Sequence, residues 1–320
     1  MRRLLAGIAA SVVLASATTG CGSSTTDDTA KSGDRTSVKV GVIPIIDVAP
    51  IYLGKEKGFF SKQGIDLTLE SGQGGAAIVP GVVSGQFQFG FSNVTSLMLA
   101  QSKGVPLKGV ANGVNSTDKQ GADFGALVVK KDSPIKSAKD LAGKKVSVNT
   151  LKNIGDTTTR ESVRKAGGDP GSVKFVELAF PQMPAALEAG QIDAAWVVEP
   201  TLSLIKSKGG RVIASPFVDT SPVLTVALYF TSTKLAQQNP GLVKRFQTAM
   251  NESLKYADTH PDEVRQILTT YTKIDAATAK SLILPTWPQK PNRASLAILA
   301  KLAEKDGLFD TAPDLDRLLP

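Results

Sequence analysis

Cysteine and histidine are almost missing from this sequence, which has one of each, Cys21 and His260, among 320 residues. One thiol excludes a disulfide framework, a CxxC redox pair and a thiolate zinc cluster. One histidine leaves Ser–His–Asp and HExxH chemistry without its essential side chains. His260 precedes Pro261 between two predicted helices, where we expect a surface residue, and no pattern singles out a catalytic carboxylate pair. The composition argues against an enzyme and indicates neither a cofactor nor a metal.

The sequence also lacks an apolar run long enough to span a bilayer, which takes roughly 20 residues. The 14 residues from Leu4 to Ala17 follow Arg2 and Arg3 and precede Cys21, which predicts a signal peptide over 1–20. Thr18 to Cys21 resembles the lipobox of bacterial lipoproteins, although Thr18 stands where leucine is usual. We expect lipidation at Cys21 and a flexible tether over 21–37. The alternative is a secreted protein with a stray cysteine.

Charge of one sign is not concentrated anywhere in the chain. The formal net charge of +8 falls to +6 once Arg2 and Arg3 are removed, and the remaining basic residues are scattered among acidic ones. We interpret this pattern as a solvated surface and expect no nucleic-acid partner.

Short β-like runs alternate with helix-like runs from Val38 onward, which predicts an α/β fold with mostly parallel sheets flanked by helices. The alternation restarts near Lys145, as if a second α/β unit were inserted into the first. We therefore expect one lobe over 38–128 and 228–320, including the C-terminal helices, and a second lobe over 129–227. Two crossings, near Val128–Lys130 and Ala227–Tyr229, would form the hinge.

Five short segments, in a specific order and spacing, carry a resemblance to a known family. They are Ile51–Phe60, Gly64–Leu67, Ser137–Val146, Leu187–Ala195 and Glu199–Pro200. The chain resembles the type-2 periplasmic binding proteins of the nitrate, sulfonate, taurine and thiamine-precursor group.

This resemblance implies the two-lobed periplasmic binding protein fold with a two-segment hinge. It also implies a monomeric, extracytoplasmic solute-binding component that is lipid-anchored to the outer face of the membrane and works with the permease and ATPase of an ABC importer. The expected cargo is a small organic anion, namely a sulfonate such as taurine, nitrate or an aromatic carboxylate. An aminopyrimidine thiamine precursor, riboflavin, or a sensing role without transport stays open.

Ligands of open parallel sheets bind beyond the carboxyl ends of the strands. Loops at such ends give candidate ligand residues in the first lobe. Asp47 is the only charge in an apolar turn and is alternatively a helix N-cap. Gly74, Gly75 and Ala76 open a helix, and Ser92 and Asn93 follow a strand, so one of these two is expected to cap the next helix.

The second lobe supplies candidates from two further loops: Asn149, Lys152, Thr157 and Glu199. Asn149, Lys152 and Thr157 gather at one helix start, which favours an anionic group, although Asp156 competes as a cap. Glu199 ends a strand before Pro200 and either contacts the ligand or caps its own helix.

Overall fold

The structure is a computed structural model that describes residues 35–311 and 313–320. The expected signal peptide, Cys21 and all but the last residues of the expected tether lie outside the described residues. None of the helices in the described part combines the length and apolarity that a bilayer crossing requires.

The strands and helices confirm the predicted alternation. The strands are β1 (Thr36–Val42), β2 (Ile65–Ser71), β3 (Phe89–Asn93), β4 (Leu107–Asn115), β5 (Gly125–Val129), β6 (Lys145–Val148), β7 (Lys174–Glu177), β8 (Ala194–Val198), β9 (Arg211–Ala214) and β10 (Thr225–Ser232). The helices are α1 (Ala49–Glu56), α2 (Phe59–Lys62), α3 (Gly75–Ser84), α4 (Val94–Ser102), α5 (Ile154–Lys165), α6 (Met183–Glu188), α7 (Thr201–Ser207), α8 (Pro216–Thr220), α9 (Thr233–Gln238), α10 (Pro240–Thr259), α11 (Pro261–Tyr271), α12 (Ala276–Ser281), α13 (Arg293–Lys305) and α14 (Leu315–Leu318).

Two five-stranded sheets form the cores of two α/β lobes, with strand orders β2-β1-β3-β10-β4 and β7-β6-β8-β5-β9. β1 pairs in parallel with β2 and β3, and β6 pairs in parallel with β7 and β8. β10 and β5 each run antiparallel to both of their neighbours. Each sheet is therefore mostly parallel, with one reversed strand next to its edge.

The crossings between the lobes lie at 116–124 and, after α8 of the second lobe, at 221–224, both earlier than the sequence suggested. β5 belongs wholly to the second sheet, and β10 wholly to the first. The expected crossings, near Val128–Lys130 and Ala227–Tyr229, fall inside these buried strands, and uniform burial gives no sign of which sheet a strand joins. The Ser116 N–H donates to the Leu224 carbonyl at 2.8 Å, so the two crossing segments are tied side by side.

The C-terminal helices complete the first lobe. Phe246 of α10 is fully buried and stacks on Phe89 of β3 with ring centroids 3.9 Å apart. Phe60 of α2 packs against the Phe246 ring as well, with ring centroids 5.7 Å apart. Gly58 has φ of 76°, the left-handed conformation that lets the chain turn from α1 into α2.

α1 and α10 approach each other most closely at Gly54. A β-carbon at that position would lie 1.9 Å from the Ser253 hydroxyl oxygen. We expect Gly54→Ala to lower the free energy of unfolding by about 1–3 kcal/mol because the two helices must separate. Urea denaturation measures this change.

Gly241→Ala is the matched control on α10, where the nearest atom to an added β-carbon is 3.9 Å away. That substitution is expected to be neutral or to stabilise by up to about 1 kcal/mol, since alanine favours a helix over glycine. Equal midpoints for both variants would contradict the close helix contact.

Candidate solute-binding site

A small cavity of about 20 Å³ lies between the facing edges of the two sheets. Both lobes contribute to its wall, which is formed by Ile43, Ile45, Asp47, Phe91, Asn93, Asn149, Ile154, Phe180, Trp196, Val198, Val226 and Ala227. Four of these residues end a strand or follow one directly, namely Ile43, Asn93, Asn149 and Val198. This volume has room for about one or two water molecules, so the inner cavity holds a small chemical group and not a whole organic molecule.

Asp47 is the charged residue of the inner cavity and is 2 % exposed. It does not cap a helix, because neither the 3-10 turn Ile46–Val48 nor α1 has a side-chain cap. Its carbonyl accepts from the Trp287 indole N–H at 3.2 Å, which fixes the main chain. Its Oδ1 has no hydrogen-bond partner among the described residues. Burial raises the pKa of Asp47 to about 7, opposed by the hydrogen bond from its own backbone N–H and assisted by a smaller contribution from the charge of Asp123.

Asn93 and Asn149 bring amide groups to the cavity from the two lobes. Asn93 caps α4, since its Oδ1 accepts from the Ser96 N–H at 2.9 Å, and it also lines the cavity. Asn149 donates through Nδ2 to the Gln73 carbonyl at 3.3 Å, a hydrogen bond between the lobes. Its Oδ1 accepts from Asn153 at 3.0 Å, which orients the side chain. The structure thus brings Asp47, Asn93 and Asn149 together.

The glycine loop borders the cavity without lining it. Gly74 packs against the second lobe, where an added β-carbon would lie 2.7 Å from Thr150 Cγ2. Gly75 packs against Ser92, whose hydroxyl would lie 1.8 Å from an added β-carbon, and Ala76 is exposed. Ser92 is fully buried behind this loop and donates to the Asn93 carbonyl. The glycines allow close approach between segments and between lobes.

Lys152 and Thr157 do not face the cavity. Lys152 is exposed, and Thr157 is buried within α5 with its hydroxyl directed to the Asn153 carbonyl at 3.4 Å. The start of α5 is already satisfied, because Asn153 accepts from the Gly155 N–H at 2.8 Å and Asp156 accepts from the Lys152 N–H at 3.0 Å. Burial raises the pKa of Asp156 to about 6. The anion site expected at this helix start is therefore occupied by the protein's own side chains.

Glu199 is fully buried, and its carboxylate is engaged by the protein. Its Oε1 accepts from the Ser203 hydroxyl at 2.8 Å and the Ile283 N–H at 3.2 Å, while Oε2 accepts from the Ser203 N–H at 2.9 Å. Burial raises the pKa of Glu199, and these hydrogen bonds oppose that shift. Glu199 thus caps α7, the alternative given by the sequence, and links the second lobe to the segment after α12.

Sequence reasoning missed Phe180 and did not assign a role to Trp196. Their rings lie 6.1 Å apart and form the apolar wall on the second lobe. Phe180 lies in the loop after the carboxyl end of β7, so the expectation that ligands bind beyond strand ends applies to it as well. Trp196 is oriented by its indole N–H, which donates to the Thr158 hydroxyl at 3.2 Å.

An outer groove of about 440 Å³ adjoins the inner cavity. Ile43, Ile45 and Phe180 belong to the walls of both spaces. The groove is mainly apolar, with Pro44, Pro181, Leu204 and Ile274 in its wall and the exposed Lys273 at its rim. Its volume is within the range of small-molecule sites.

Basic residues are missing from the inner cavity wall as far as the structure describes it. Among all the residues that the structure describes, no cluster of three or more histidine, cysteine, aspartate or glutamate side chains is arranged to hold a metal ion. The inner cavity thus has one carboxyl and two amide side chains in an otherwise apolar wall.

Two α/β lobes, joined by two crossings and enclosing a cavity between strand ends, define the periplasmic binding protein fold. Within this class, the chain belongs to the NMT1/THI5-like family, whose sequence profile matches residues 45–264.

Individual proteins agree with this assignment. The chain is 23 % identical over 275 residues to an aliphatic sulfonates-binding protein of Bacillus subtilis (strain 168), covering 84 % of this chain and 79 % of the relative. It is 27 % identical over 233 residues to the taurine-binding periplasmic protein of Escherichia coli (strain K12), covering 71 % and 68 %. The crystal structure of the periplasmic aliphatic sulphonate binding protein SsuA from Escherichia coli superposes with a TM-score of 0.71 at 18 % identity, covering 88 % and 91 %.

Removal of the Glu199 carboxylate leaves two buried donors of Ser203 and the partly buried Ile283 N–H without their acceptor. We expect Glu199→Ala to lower the free energy of unfolding by about 2 kcal/mol or more, measured by urea denaturation. Glu188→Ala is the control, because Glu188 pairs with Lys208 at 3.1 Å on an exposed surface. Its loss is expected to cost less than about 1 kcal/mol. A Glu199→Ala protein as stable as the control would rule out the capping role.

Proposed function

We propose that this protein is the solute-binding component of an ABC importer and captures a small organic molecule between its two lobes for delivery to a membrane permease. The observation that carries the proposal is the cavity between the facing strand ends. Both lobes contribute side chains to it, so a ligand there stabilises the closed arrangement over the open one.

The relatives support a cargo with a sulfonate or related anionic group. Two of them are named for aliphatic sulfonates and taurine, and the chain covers more than two thirds of each. The groove offers space for the organic part of such a molecule.

Binding without catalysis is the part of the proposal that the residues favour most directly. His260 stacks on Tyr256 with ring centroids 3.8 Å apart, away from the cavity wall. The cavity carboxyl of Asp47 has no nucleophile or second acid beside it in the cavity wall. These side chains bind and orient a ligand but do not form a general acid–base pair.

Lobe closure is tested at Gly74, whose added β-carbon would lie 2.7 Å from Thr150 and 3.0 Å from Asn149 of the other lobe. We expect Gly74→Leu to hold the lobes apart and to weaken binding of taurine or ethanesulfonate at least about tenfold, since contacts from one lobe are lost. Titration calorimetry measures the affinity, and small-angle X-ray scattering reports the larger radius of gyration.

Gly241→Leu is the size-matched control at an exposed position of α10, with an expected affinity equal to that of the wild type. Unchanged affinity in the Gly74→Leu protein would show that ligand binding does not require closure of the lobes. If the wild type binds neither taurine nor ethanesulfonate nor nitrate, the result would count against a role in anion import.

We also propose that the protein works outside the cytoplasm, anchored by a lipid on Cys21. The support is the apolar run of Leu4 to Ala17 after two arginines, and the periplasmic location in the name of the taurine-binding relative. In a bacterial host, Cys21→Ser is expected to move the protein from the membrane fraction to the soluble fraction. Equal membrane association of both proteins in a fractionation blot would contradict the anchor.

A further inference from the structure

Asp47 differs from Asp123 and Glu199, two other buried carboxylates near the site, because no other described residue donates a hydrogen bond to its carboxylate. Asp123 accepts from the Ser116 hydroxyl, the Thr117 N–H and the Phe124 N–H at 2.9 to 3.0 Å. Glu199 is similarly satisfied by three donors. Asp47 Oδ1 accepts no hydrogen bond from any described residue, although the side chain is 98 % buried (2 % exposed). A buried acceptor without a donor is costly, so its retention needs another explanation.

We propose that Asp47 binds an amino group of the cargo, so that the cargo is an amine with an apolar body instead of a simple organic anion. This inference rests on the proposed solute-binding function and names the chemical class that the site selects.

The sizes of the two spaces fit this division of the cargo. An ammonium group is about as large as a water molecule and fits the inner cavity of about 20 Å³ next to Asp47. The outer groove of about 440 Å³ takes the organic body. Ile43, Ile45 and Phe180 line both spaces, which are therefore adjacent. In the proposed complex, one molecule spans them with its amino end at Asp47 and its body against apolar side chains.

The charges around Asp47 favour a cationic ligand. The titratable groups that influence it or feel its charge are Asp123, Tyr229 and Tyr271, which are acidic or neutral. Tyr52 stacks on Tyr271 at 3.9 Å and adds another neutral phenol. A protonated amine supplies the missing donor and positive charge, and it ionises the carboxyl whose pKa burial has raised to about 7.

Two matched pairs of probes test the proposal with the purified full chain. Taurine carries an amino group where isethionate carries a hydroxyl. Cyclohexylamine and cyclohexanol differ in the same way, on an apolar ring. We expect the amine of at least one pair to bind at least about tenfold tighter than its alcohol at pH 8 in titration calorimetry, because a hydrogen bond to a charged group is stronger than a neutral one. Asp47→Asn is expected to abolish that preference.

The pH dependence separates the amine from the anion. Protonation of Asp47 removes its charge below its pKa of about 7, so amine affinity is expected to fall by up to about tenfold for each pH unit between 7 and 5. Isethionate carries no amine, and its affinity is expected to stay constant or rise over the same range because repulsion by Asp47 weakens.

A measurement without ligand separates a binding residue from a structural one. The folded protein holds the proton of Asp47 more tightly than the unfolded chain, so ionisation lowers stability as pH rises from about 4 to 7 and the full loss persists at pH 8. Asp47→Asn is therefore expected to raise the unliganded melting temperature at pH 8, on the order of 5 °C, with little change at pH 4. Asp123→Asn is the partnered control: burial raises the pKa of Asp123 as well, but an amide replaces a carboxylate that accepts from the Ser116 hydroxyl and two N–H groups, so no comparable rise is expected at pH 8.

Three results would overturn the amine assignment. One is equal affinity for both members of each pair, another is no binding of any of the four probes, and the third is an amine preference that survives in Asp47→Asn. Binding of isethionate without an amine preference would overturn the inference alone and leave the solute-binding function in place. Absence of binding by these probes and by ethanesulfonate and nitrate would overturn both.

Discussion

The reversed strands β5 and β10 are the constraint on which the rest of the structure depends. Because β10 runs against its neighbours, its first residue, Thr225, pairs with the last residue of β4, Asn115. In the second sheet, Gly125 at the start of β5 pairs with Val198 at the end of β8. Both crossings therefore leave and enter each sheet at the edge where the parallel strands end. The loops that follow those strands face each other across the same gap, and the cavity has side chains from both lobes for that reason.

The order of strands and helices follows from local sequence, whereas the crossings do not. The alternation of short apolar runs with helical patterns predicts the order of strands and helices, because a helix with one buried face leaves a 3.6-residue period whereas a buried strand leaves a short apolar run. β5 and β10 are buried at almost every position and read as plain apolar runs. Direction and sheet membership depend on pairing with distant strands, which a local pattern does not encode.

The same distinction separates the site residues that the sequence located from those that it did not. Asp47, Asn93 and Asn149 line the cavity, as expected for residues at or beyond the carboxyl end of a strand. Glu199 also follows a strand, but its carboxylate turns to Ile283, 84 residues away in the chain, and that contact is invisible to local reasoning. Lys152 has the charge that an anion site needs, yet its side chain is exposed because Asn153 and Asp156 satisfy the helix start.

Several polar contacts join the lobes in this closed arrangement, in which the space beside Asp47 is water-sized. The Ile46 N–H donates to the Glu199 carbonyl at 3.1 Å, Asn149 reaches the Gln73 carbonyl, and Arg164 pairs with Asp306 at 2.6 Å. In the proposed complex, the inner cavity binds the polar head group of the cargo and the apolar groove binds its body. The two parts of the site differ in selectivity, because a site with an unpaired buried polar group rejects ligands lacking its partner far more strongly than an apolar wall rejects one methylene more or less. Selection should accordingly be strict for the group that meets Asp47 and tolerant for the length and shape of the body, so the cargo is best defined by its head group.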